Sequence, residues 1–161
     1  MPATSAPSSG APGAVRPAVR PGIRSGGAGP LRLLRRLLAL DAVATVVYAL
    51  ACLALADPLG RLLGVDTGLL VGLGAFLLLY GTAVGLLASR PVPPVLGVRA
   101  VVEVNALWAL ASGAVLVGPL GGLLEPTTAG LVWIPFQAVV VAILAAAQHL
   151  ALRAVLRSAG R

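Results

Sequence analysis

Residues 31–57 read LRLLRRLLALDAVATVVYALACLALAD, and this stretch decides the fold. Arg32, Arg35 and Arg36 lead into an apolar run in which Asp41 is the only charge. A run of about 20 apolar residues is the length of helix that crosses bilayer hydrocarbon, and an arginine cluster at one end marks its cytoplasmic flank. The stretch therefore reads as a membrane anchor that sets the orientation of everything after it.

Composition agrees. Of 161 residues, 58% are hydrophobic and only 11% charged, against about 25% charged in soluble domains. A chain this short and apolar cannot cover its hydrophobic surface with polar groups, so the bilayer is its solvent. The net charge of +7 comes from arginine alone, without lysine. Its placement, described below, is the asymmetry of a membrane protein rather than a nucleic-acid footprint. Cys52 is the single cysteine, which excludes an intramolecular disulfide, and no Cys/His set for a metal exists. No Walker loop, dinucleotide fingerprint, HExxH, CxxC or nucleophile elbow is present, and no cofactor is expected.

Residues 1–30 hold nearly half of the 13 prolines, with Arg16, Arg20 and Arg24 spaced four apart. Little there is large and apolar, so a disordered cytoplasmic tail is expected. Ala54-Leu55-Ala56 resembles a cleavage site, but the positive region before it is too long for a signal peptide. Four spans are predicted, at about 37–56, 69–89, 100–117 and 129–150, within a transmembrane domain of residues 31–153. A short basic tail, 154–161, follows. Asp57-Pro58 ends the first span, with Asp57 expected to cap a short interfacial turn over 59–63 and Gly64 just past its end. Arg90-Pro91-Val92-Pro93-Pro94 and Gly118-Pro119 make the other breaks. Pro135 is expected to kink the fourth span.

An even number of spans puts both termini on one side. Every arginine except Arg61 then falls there, which places that side in the cytoplasm. Short loops favour an all-α membrane protein with an up-down-up-down four-helix bundle. Gly74, Gly81 and Gly85 form a small-residue stripe on the second span, and Ala42, Ala49 and Ala56 repeat every seven residues on the first. Small residues let helices approach closely in lipid, either within the bundle or between two copies.

Ionisable residues inside a membrane are the best functional clue. Asp41, Glu103, Gln148 and His149 fall at one depth near the inner interface and form a candidate polar layer. Asp41, Thr45 and Tyr48 share a face of the first span. Asn105 and Ser112 share a face of the third, with Glu103 about 160° from Asn105 at ~100° per residue. Gln137 and Gln148 share a face of the fourth with Val141 and Leu144. Tyr48, Tyr80, Asn105, Ser112 and Gln137 are further candidates for bonds across the bundle. Trp133 and Trp108 are candidate interface anchors.

The segments LRRLLALDAV (34–43), GLGAFLLLYG (72–81), NALWALASG (105–113) and PTTAGLVWIPFQAVVVA (126–142) resemble small four-span membrane proteins of unknown function from high-GC Gram-positive bacteria. The resemblance implies location and helix count, and transfers no activity to any residue. In length and helix count the chain also looks like DoxX-like four-helix proteins, without a motif to support that link. The leading expectation is a non-enzymatic accessory or interaction protein of the cytoplasmic membrane. Its partners would be membrane lipids, with Arg32, Arg35 and Arg36 on anionic headgroups, and a second copy or another membrane protein. Nucleic acid is not among them. The alternatives are a small carrier or proton-linked module using the polar layer, and a membrane redox or quinone-handling protein.

Overall fold

The structure, a computed structural model, describes residues 28–117 and 126–160. Expectations for residues 1–27, the 118–125 loop and Arg161 lie outside the described residues. The element order is α1 (Ala28–Ala54), α2 (Ala56–Leu63), α3 (Thr67–Ser89), α4 (Val95–Val117) and α5 (Thr128–Ala159). All but α2 are long and apolar enough to cross a membrane. The chain is a membrane-embedded all-α protein built as a four-helix bundle, with the short α2 joining α1 to α3.

Helix ends differ from the sequence reading in explicable ways. Residues 28–30, assigned there to the tail, already belong to α1. Pro30 lies in the first turn, where its missing N–H has no intrahelical partner to lose. α5 runs to Ala159 rather than stopping at Leu150, because its last turns are mostly Ala, Leu and Arg, which are strong helix formers. Leu55, not Asp57, occupies the cap position of α2, and it makes no side-chain cap bond. Asp57 sits instead in the first turn, where its charge faces the positive end of the helix dipole. Gly64 closes α2 at φ 71°, the left-handed conformation that glycine adopts without a Cβ clash.

The bundle is made of tight and loose pairings. α1 packs along α3, α5 packs along α4, and α1 also lies on α5, whereas α3 and α4 keep their backbones apart and meet through side chains. The tight α1–α3 seam rests on small residues. Ala42 and Ala49 are buried on α1, and Ala56 is buried at the start of α2. A Cβ at Gly74 would come within 3.0 Å of the Ala49 carbonyl oxygen, and one at Gly81 within 2.9 Å of Val46 Cγ2. At Gly85 the space is ordinary, 3.6 Å from the Ala42 Cβ. Such close approach gains the dispersion energy that replaces hydrophobic drive in lipid.

Both ends of the bundle are clasped. Arg35 donates from Nε to the Ala88 carbonyl at 3.1 Å, so a cation meets the C-terminal end of α3. At the opposite end Thr127 caps α5, accepting from the Gly130 N–H at 3.3 Å. Its own N–H donates to the Leu63 carbonyl at 3.1 Å and its hydroxyl to that of Leu62. Gly130 lies so close over the Leu63 carbonyl that no side chain fits.

The core divides in two. Leu34, Leu38, Val84, Val98, Val101 and Leu152 fill the half nearest the arginines, and a smaller cluster of Cys52, Ala56 and Leu70 fills the other. Large apolar side chains such as Leu96 and Leu79 stand on the outside, as lipid contact requires.

Two glycines two residues apart on α3 test the seam. Gly72 has nothing within 4 Å of an added Cβ, whereas Gly74 meets Leu53, Ala49 and Cys52. Gly74→Ala is expected to destabilise the bundle by about 1–3 kcal/mol through overpacking. Gly72→Ala is expected to be neutral or slightly stabilising. Unfolding in mixed detergent followed by circular dichroism checks this, and equal effects would count against the seam.

Candidate functional site

Between the two core clusters the bundle turns polar. Each long helix contributes one side chain: Asp41 from α1, Tyr80 from α3, Asn105 from α4 and Gln148 from α5. Each sits roughly three turns from the arginine-rich end of its helix. Asp41 is only 3% exposed, Asn105 is buried and Gln148 fully so.

Their bonds converge on one carboxylate oxygen. Asp41 Oδ2 accepts from Asn105 Nδ2 at 2.7 Å and from Gln148 Nε2 at 2.9 Å. Asn105 Nδ2 also reaches Gln148 Oε1 at 3.4 Å. Its Oδ1 accepts from the Tyr80 hydroxyl at 3.1 Å. Among the described residues no fully buried polar side-chain atom lacks a partner. Asp41 Oδ1 takes no part in these bonds and, since no fully buried polar atom lacks a partner, it keeps some accessible surface; Asp41 is also one of the residues that line the open space beside this layer.

That space is a cavity of about 190 Å³ in the middle of the bundle. The chain has two tryptophans, two tyrosines and two phenylalanines, and all six line this cavity: Tyr48, Phe76, Tyr80, Trp108, Trp133 and Phe136. Phe76 and Tyr80 stack with centroids 6.3 Å apart, and Tyr48 and Trp133 tilt together at 5.8 Å. Three further bonds hold the walls. Trp108 Nε1 donates to Gln137 Oε1 at 2.7 Å, and Gln137 Nε2 donates to Ser112 Oγ at 2.9 Å. Trp133 Nε1 donates to the Tyr48 hydroxyl at 3.3 Å. A second space of about 330 Å³ continues toward α2 and shares Tyr48, Trp108, Trp133 and Gln137 with the first.

The proposed layer of Asp41, Glu103, Gln148 and His149 divides. Asp41 and Gln148 meet, while Glu103 and His149 are exposed on the outside of the bundle. One helix cannot aim both Glu103 and Asn105 inward when they lie about 160° apart, and on α4 the amide faces in. Arg35, Arg36 and Arg32 do not reach Asp41. Arg35 is turned to the end of α3, Arg36 is exposed, and Arg32 bonds the Ala28 carbonyl. Both tryptophans line the cavity and donate hydrogen bonds there, Trp133 while still exposed on the outside of the bundle. Tyr80 and Asn105 entered the sequence reading only as cross-bundle bonding candidates; the face shared by Asn105, Trp108 and Ser112 was the available signal. Among the described residues no three His, Cys, Asp or Glu gather to hold a metal ion.

No protein-family model, no curated protein and no solved structure matches this chain.

The network ranks its members. Asn105→Leu removes one donor from a buried carboxylate and the acceptor of Tyr80, and is expected to cost about 2–4 kcal/mol. Gln137→Leu loses two neutral bonds at the cavity wall and is expected to cost about 1 kcal/mol. Thermal midpoints of the two variants in detergent check the order; a larger shift for Gln137→Leu would contradict it.

Proposed function

We propose that this chain is a multi-pass protein of the cytoplasmic membrane that binds a small lipophilic molecule inside its bundle, as a small carrier or binding module. The observation that carries the reading is Asp41, buried under two amide donors to one of its oxygens and lining a cavity that every aromatic residue of the chain also lines. Structural polar bonding alone needs neither the empty volume nor the gathering of all the rings. Ligand pockets combine an apolar wall with a few placed polar groups in this way, and an acid within a span is the usual mark of a pathway or site.

An interaction role rests on the glycine stripe, but α1 already covers Gly74 and Gly81. A redox role has no support beyond the aromatic residues themselves.

The threading we propose is up-down-up-down with both termini cytoplasmic. It is supported by the arginine distribution and by the meeting of the start of α1 with the end of α3 and of the start of α5 with α2. Exposed Arg32, Arg36, Arg99, Arg153 and Arg157 would then face anionic headgroups, at about 1 kcal/mol each. The inner half is closed by its apolar cluster, so the site is reached from the membrane or from the outer half.

Two experiments test this. In a Cys52→Ala background, Arg61→Cys is expected to react with an impermeant maleimide in intact cells and Arg90→Cys only after lysis; the reverse pattern would invert the protein. Native mass spectrometry of the protein extracted with its own lipids is expected to show a small bound molecule. Ala44→Trp, at a cavity-lining position, is expected to remove it. Bare protein, or a bound molecule indifferent to Ala44→Trp, would overturn the binding reading.

A further inference from the structure

Resting on that reading, we propose that the ligand is a lipophilic monocation: an ammonium or similar charge on an apolar, ring-sized body, its charge at Asp41 Oδ1 and its body among the aromatic rings.

Charge is the first argument. Asp41 is bonded by neutral amides alone, and Arg35, the arginine nearest in sequence that turns toward the bundle, is held by the Ala88 and Ser89 carbonyls. Arg36 and Arg99 are exposed. A buried acid with hydrogen bonds but no cation is only half compensated, and in a medium that hydrates poorly it attracts positive charge.

Hydrogen-bonding capacity is the second. Asn105, Gln148, Tyr80 and both indoles each already donate to a protein acceptor. What faces the cavity from this set is an acceptor carrying negative charge. A carbonyl-bearing ligand would find donors in the Tyr48 and Thr45 hydroxyls of the wall but would leave the Asp41 carboxylate unmatched, and an anion would be repelled. A divalent metal ion would need several more oxygens than this apolar wall supplies.

The walls are the third. Aromatic rings attract cations through their electron-rich faces, most strongly where water is excluded. Bringing all six rings of the chain to the one cavity that holds its buried acid combines the two groups that recognise organic cations. Phe76 and Phe136 line the cavity and are also more than half exposed on the outer surface of the bundle. The cavity therefore borders the outer surface of the bundle, where lipid would lie. A cation carried on an apolar body can partition into the bilayer and enter sideways.

The test uses two probes of one shape: benzyltrimethylammonium, a permanent cation, and neopentylbenzene, its neutral carbon isostere. The full chain is placed in phosphatidylcholine nanodiscs and titrated with each, with concentrations expressed per lipid. Trp108 and Trp133 are the only tryptophans and both line the cavity, so their emission reports occupancy directly. Wild type is expected to bind the ammonium saturably and at least about tenfold more tightly than the isostere. Asp41→Asn is expected to abolish that preference while still binding the isostere. If the isostere binds equally or better, the cation inference falls and the binding cavity stands. If neither probe changes the emission, both fall. Should Asp41→Asn fail to insert, the wild-type comparison still decides.

Discussion

The structure depends on a carboxylate placed where there is no water. A charge or an unpartnered polar group inside hydrocarbon is costly, and four helices have to converge to satisfy Asp41. Asn105 and Gln148 reach it from α4 and α5, and Tyr80 reaches Asn105 from α3. This one layer ties the α1–α3 pair to the α4–α5 pair. The backbones of α3 and α4 stay apart, so these two helices are joined through side chains: Tyr80 to Asn105 and Val101, and Val84 and Ala88 in one apolar cluster with Val98 and Val101.

Packing has a complementary role. Along α1 and α3, glycines and alanines bring backbones together until almost no volume remains, and Leu34, Leu38, Val98 and Leu152 fill the arginine-rich half. A bundle closed along one seam and open along another leaves space in its middle. The aromatic side chains line that space, and the Trp108–Gln137–Ser112 and Tyr48–Trp133 bonds hold its walls in place. An acid alone in a span reads as a structural bonding group. An acid with a free oxygen on an aromatic cavity reads as a recognition element, and the difference lies in the volume beside it.

Much of this was legible in the residues. Span number followed from apolar runs of bilayer length, because hydrocarbon admits no unpaired backbone and only helices satisfy it locally. Faces were legible too, since helical periodicity alone aligns Asp41, Thr45 and Tyr48, or Gln137, Val141, Leu144 and Gln148. The ends were harder. α1 and α5 extend past the hydrocarbon-length segments because arginine and alanine continue a helix into the headgroup region as readily as inside. Glu103 and His149 drew attention as ionisable residues at a suitable depth, yet depth says nothing about rotation, and both face outward.

By itself, then, the amino-acid sequence determined that this is a four-span membrane protein with basic residues gathered at one end, and which residues share each helix face. Those properties come from local periodicity and from transfer free energies that act residue by residue. Only the tertiary structure decided which faces meet: that α1 takes the glycines of α3, that Asn105 and Tyr80 rather than Glu103 and His149 complete the layer of Asp41, and that six aromatic residues scattered from position 48 to 136 line one cavity. The reason is geometric. Helix rotation and pairing are set by the joint packing of four surfaces, and no single segment carries that information.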